Sequence, residues 1–151
     1  MGDRVALLAA GGRLAQSGPP RDFYTVPATA DVARFFGWCV LDGTRNGAGF
    51  RAGGGVFDAP DHVERRELTA VAFHPSAVRL SHPESASTVN ALPAAVEHVT
   101  DLGAQRRVTA RLASGERIDI VRAVDRAART GGQGPAQLDI APAFLRFFSR
   151  G

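Results

Sequence analysis

The chain has 151 residues, 44% hydrophobic and 22% charged, with a formal net charge of +3. That balance suits one ordinary domain, or a domain plus a fragment, with a real core and no wholesale disorder. All 18 basic residues are arginine, which excludes Walker A, Schiff-base and pyridoxal-phosphate lysines; the single Cys39 excludes an internal disulfide and a cysteine-rich zinc site; and no apolar run approaches the roughly 18–20 residues of a membrane-crossing helix.

The apolar stretch from Val5 to Ala10 is shorter than a signal-peptide core. Val5-Ala6-Leu7-Leu8 predicts a buried strand, ended by Gly11-Gly12. Residues 13–16 alternate as a short second strand before Gly18-Pro19-Pro20. Proline at a first helical position, with Asp22 in the first turn, opens a short helix through Phe23 and Tyr24 that Pro27 closes. Thr29 caps a second helix, in which Val32, Phe35 and Phe36 form one apolar face and Gly37 the stop.

Six glycines then fall between Gly43 and Gly55, among short strand-like pieces at 38–41, 49–51 and 56–57. Residues 58–67 read as a solvated loop and 68–73 as a strand, followed by the turn His74-Pro75-Ser76 and a short strand at Val78 and Leu80. Residues 89–102 hold one long strand or two short ones interrupted near Pro93. Val108, Ala110 and Leu112 alternate with polar residues, as do Ile118 and Ile120, and Ser114-Gly115 between them suits a tight hairpin. Residues 121–129 fit helix or strand equally. A glycine-rich turn leads to a strand at Leu138 and Ile140, and residues 142–148 close the chain as a helical turn or strand burying Phe144, Leu145 and Phe148.

No constellation in this order carries catalysis. His62, His74, His82 and His98 are scattered, without the i, i+4 pairing of a helical metal site. Asp58, Asp61, His62 and Glu64 are the densest ligand-type cluster, and a solvated loop explains them better than a metal. Gly47-Ala48-Gly49 begins a phosphate-loop pattern, but Ala52 occupies its third glycine position. Cys39 follows Trp38 in an apolar setting and reads as packing. A single-strand-binding barrel needs stacked aromatics in a basic groove, whereas Phe35, Phe36, Phe147 and Phe148 sit in apolar segments. No catalytic residue, cofactor site, metal site or nucleic-acid partner is therefore assigned.

The order of elements resembles the carboxy-terminal part of ATP-binding subunits of bacterial ABC importers. Residues 3–8 and 12–19 are similar to the segment after the H-loop histidine of those ATPases, and residues 22–29 and 32–37 continue it. Residues 71–80, 95–103, 108–112 and 139–148 are similar to the appended transport-associated OB (TOBE) barrel. The resemblance implies a mainly β protein: an OB-fold-like antiparallel barrel over 38–151, preceded by a short α/β remnant of an ATPase domain over 1–37. It is weakest at 42–67 and 122–134.

Walker A, signature, Walker B and H-loop segments would lie upstream of Met1, so the resemblance implies a regulatory and dimerisation region that supports ATP-driven uptake without hydrolysing ATP. It implies a homodimer or an ATPase–permease complex, docking of a regulatory protein, and a place on the cytoplasmic face of the plasma membrane without insertion into it. His74, Pro75, Ser76 and Gly103 fall on family-motif positions of structural or regulatory kind. His74 replaces the usual arginine and Ser76 the usual acidic residue. Residues 3–37 are expected to be loosely packed, to borrow a partner chain, or to fold back onto the barrel. The alternative is a stand-alone barrel for a small oxyanion of the molybdate kind, held by arginine and backbone N–H groups; a nucleic-acid barrel ranks below it.

Overall fold

The computed structural model describes residues 3–60, 67–84, 89–123 and 132–149. Strands β1 (Val5–Leu8) and β2 (Leu14–Gly18) form a two-stranded antiparallel ribbon. Its turn is closed by Ala9 N–H donating to Arg13 and Gly12 N–H donating to Ala9, with Gly11 and Gly12 both at positive φ. The expected burial of Val5–Leu8 is wrong. Among the described residues the ribbon has no third strand, and Leu8 and Leu14 are 61% and 62% exposed. A continuous apolar run marks a strand that needs cover; it does not supply the cover.

Helix α1 (Pro20–Thr25) begins on proline and buries Phe23. Gln16 ties β2 to the chain after α1: its side-chain amide donates to Val26 O at 3.2 Å and accepts from Ala28 N–H at 2.8 Å. Helix α2 (Ala30–Phe35) starts as expected, Thr29 Oγ1 accepting from Val32 N–H at 3.2 Å. Its buried face is corrected, however. Val32 and Ala33 point inward with Phe36 half-buried, while Phe35 is 71% exposed. Phe35 closes the helix, where its ring packs edge-on to Phe36.

The glycine-rich stretch is a three-stranded meander that lengthens the expected strand-like pieces: β3 (Cys39–Asn46), β4 (Gly49–Ala52) and β5 (Gly55–Asp58). Gly43 lets β3 and β4 close up, since a Cβ there would lie 2.0 Å from Arg51 O. Next come β6 (Leu68–Phe73), a 3-10 turn (Pro75–Ala77) and β7 (Val78–Ser81). Residues 89–102 resolve into one strand, β8 (Ala91–Asp101), which keeps Pro93 inside it and carries a bulge between Val96 and His98. The predicted hairpin at Ser114-Gly115 joins β9 (Gln105–Leu112) to β10 (Arg117–Ala123). Residues 121–123 therefore continue a strand, and 124–131 lie outside the described residues. After β11 (Gly134–Ile140) the chain makes both predicted endings, a 3-10 turn (Pro142–Phe144) and then β12 (Arg146–Ser149). Leu145 is buried and Phe148 half-buried, but Phe144 is exposed.

The ten strands from β3 onward form one curled antiparallel sheet, ordered β10-β9-β8-β5-β4-β3-β6-β12, with β11 bridging β8 and β7. This mainly β, OB-like half-barrel is the expected fold class. Its concave face packs Leu41, Phe50, Phe57, Phe73, Leu92 and Ile120 into the principal core. A smaller core of Ala33, Trp38 and Ala72, flanked by Phe36, Val40 and Phe148, seats α2 against β3 and β6.

Candidate functional site

His74 follows β6 and caps the turn that comes next. Pro75 lacks an N–H, so Ser76 supplies the first side-chain-capped donor, giving its N–H to His74 Nδ1 at 3.3 Å. Ser76 Oγ lies 2.7 Å from the same nitrogen, and Ala77 N–H donates to His74 O at 2.9 Å. Only a neutral imidazole with its proton on Nε2 accepts at Nδ1. The His74 ring stands edge-on to Trp38, centroids 6.0 Å apart. Burial holds the His74 pKa below its ordinary 6.5. The turn itself packs against β10. Trp38 Nε1 is buried there without a hydrogen-bond partner.

Gly103 occupies the two-residue tip between β8 and β9. It has φ +80°, and Leu102 N–H donates to Gln105 O at 2.8 Å across the turn. A left-handed residue at the first tip position favours glycine, a backbone reason for its presence. The four positions that the resemblance singled out thus split in two. His74, Pro75 and Ser76 form one corner, Gly103 an exposed hairpin tip, and no hydrogen bond or ion pair joins them.

The convex face of β8–β10 carries a charge cluster that sequence reasoning missed. The β8 bulge projects Glu97, whose carboxylate accepts from Arg111 Nε and, at 3.0 Å, from Arg117 Nε. The Arg111 hydrogen bond holds the Glu97 carboxyl below its usual range; desolvation opposes this, and the charges of Arg111 and Arg117 reinforce it. On the concave side at the strand ends, Arg106 pairs with Asp101 at 2.8 Å and lies opposite Arg122 in register. Only strand register reveals these neighbours, because they come from three separate segments.

Asn90 was missed too, although an asparagine just before a strand is a known candidate for positive φ. It has φ +55° and is buried. Its Oδ1 accepts from Asp58 N–H at 2.9 Å, its N–H donates to Val56 O at 2.8 Å, and its carbonyl accepts from Ile140 N–H at 3.0 Å. One residue thereby joins β5, β8 and β11.

Among the described residues no group of three His, Cys, Asp or Glu is placed to hold a metal ion, and Asp61, His62 and Glu64 lie outside them. Cys39 packs beside the principal core, and burial pushes its thiol up to about 12, far from a nucleophile's range. No described helix is long and apolar enough to cross a membrane. What the arrangement offers is surfaces and corners for binding.

Comparison with known proteins places these features. Residues 71–145 match the model of the TOBE domain. The chain is 35% identical over 106 residues to the molybdate/tungstate import ATP-binding protein WtpC of Thermococcus kodakarensis, covering 68% of this chain and 31% of that protein. It is 32% identical over 114 residues to its counterpart in Pyrococcus horikoshii, covering 74% and 32%. The chain thus spans about a third of the length of these curated relatives. Among solved structures, the molybdate-bound form of the cytoplasmic molybdate-binding protein ModG matches with a TM-score of 0.53 at 16% identity, over 74% of this chain and 96% of that one. At that identity the likeness is one of fold.

Proposed function

We propose, for a chain that carries a TOBE domain and is homologous to the C-terminal part of molybdate/tungstate ABC importer ATP-binding subunits, that it is the regulatory and dimerisation region of such a subunit. In this reading residues 1–37 are the end of an ATPase domain and 38–151 the barrel appended to it. The barrel pairs with its counterpart in a second subunit, supports ATP-driven oxyanion uptake and hydrolyses no ATP itself. It works at the cytoplasmic face of the membrane beside a permease, and His74, Pro75, Ser76 and Gly103 are structural or regulatory positions.

The observation that carries the reading is the TOBE match lying on a half-barrel entered through an apolar ribbon with no third strand among the described residues. Phosphoryl transfer needs a phosphate cradle, a magnesium site and a water-positioning residue, and no motif for them was found in the sequence. The purified chain is expected to scatter light as a dimer and to release no phosphate from ATP. A monomer at all concentrations would remove the dimerisation role, and turnover would remove the non-hydrolytic one.

The fold shared with ModG supports a second reading, a barrel that itself binds an oxyanion. Arginine guanidinium groups suit such a ligand. Calorimetry of the chain with molybdate, tungstate and sulfate separates the readings. Micromolar molybdate binding favours the second, and no heat with any of the three leaves the first.

A further inference from the structure

We propose that His74 is a pH-sensitive fastener at the joint between the ribbon-and-helix unit and the barrel: its neutral ring holds the Pro75–Ala77 turn closed beside Trp38, and protonation releases that corner.

The argument starts from the acceptor. Nδ1 of His74 faces two donors, Ser76 N–H at 3.3 Å and Ser76 Oγ at 2.7 Å. A protonated imidazole carries hydrogen on both nitrogens: it cannot accept the Ser76 N–H that caps the turn, and Ser76 Oγ must change from donor to acceptor. The capped turn lies against β10, and the ring lies against Trp38, which follows α2 and shares its small core with Ala33 of α2 and Ala72 of β6. Losing the cap therefore loosens a corner touching both the barrel and the helix seated on it.

Charged groups on the adjoining elements are committed elsewhere or set apart. On α2, Arg34 bridges Asp31 and Asp42 of β3. On β10, Arg117 binds Glu97, Asp119 accepts from Thr109, and Arg122 lies opposite Arg106. On β7, Arg79 lies opposite Asp139 of β11. Glu116, just before β10, acts on Cys39, the register partner of Phe73; among the described residues burial is what lowers the His74 pKa. A depressed folded pKa gives stability that is full above the unfolded value near 6.5 and lost as pH falls through the lower folded value.

The chain has a single tryptophan, and it is the ring beside His74. Tryptophan emission of the whole chain, followed from about pH 7.5 to about pH 5, should change in one step with a midpoint below that of a free histidine. His74→Asn keeps a capping acceptor but cannot titrate, so its emission should stay flat, whereas His82→Asn should keep the step. A flat wild-type curve, a step surviving in His74→Asn, or a step lost in His82→Asn would overturn the proposal. If His74→Asn fails to fold, imidazole nitrogen shifts of the wild type decide. Neutral His74 should carry its proton on Nε2, and a proton on Nδ1 would overturn the proposal.

Discussion

Asn90 shows how much one side chain can hold. It occupies a left-handed backbone conformation and supplies the acceptor for Asp58 N–H. Asn90→Ala should leave that amide unpaired in a tight corner and cost about 1–3 kcal/mol, plus about 1 kcal/mol for a Cβ at positive φ without the local bonding that suits asparagine. Asn90→Gly should recover the backbone part only. Urea midpoints of the two variants check this: the glycine variant should unfold later than the alanine variant, with the wild type last. The same scale explains the pairing of Thr29 with Val32. The cap was legible because its rule is local, needing only a hydroxyl three residues ahead of a helical N–H.

Between elements, register governs. The β8 bulge turns Glu97 toward Arg111 and Arg117 on the next two strands. The lowered Glu97 pKa means this arrangement stabilises the fold above the ordinary carboxylate value near 4.5 and loses that contribution as pH falls through the lower folded value. Glu97→Gln should lose stability most near neutrality and progressively less as pH falls through the acid range, flattening that slice of the pH–stability curve, read from urea midpoints from neutral to acid pH. Strand alternation in β9 and β10 and the hairpin between them were legible because a half-buried strand repeats every two residues. The bulge was not, since one inserted residue leaves no mark until a partner strand is laid beside it. Phe35 was assigned to the wrong face for a related reason. Helical spacing identifies residues that share a side, but a six-residue helix is too short for periodicity to fix which of its last residues turns inward.

For the whole molecule, cover is distributed unevenly. The half-barrel encloses Phe50, Phe57 and Phe73 completely, whereas the ribbon leaves Leu8 and Leu14 largely in solvent. Local opening follows such differences in buried contact. Amide exchange should therefore be faster in β1 and β2 than in β8 and β9 by orders of magnitude, and equal protection would mean that the ribbon is held by contacts absent from this fold. The order of elements and the mainly β class were readable along the chain. The closure of the glycine-rich meander was not, because Gly43 reveals its purpose only when Arg51 O is brought against it. Gly43→Ala should accordingly force β3 and β4 apart, with loss of soluble, cooperatively folding protein on expression as the measured outcome.

The ribbon's solitude has a practical corollary. Among the described residues no third strand pairs with either flank of the ribbon, and Leu8 and Leu14 stand largely in solvent. Such rims invite stacking by other copies, so concentrated samples would thicken into fibrous material from this end first. A charge or a proline set into the first strand, at Ala6 for instance, would act as a gatekeeper and slow that growth without touching the barrel.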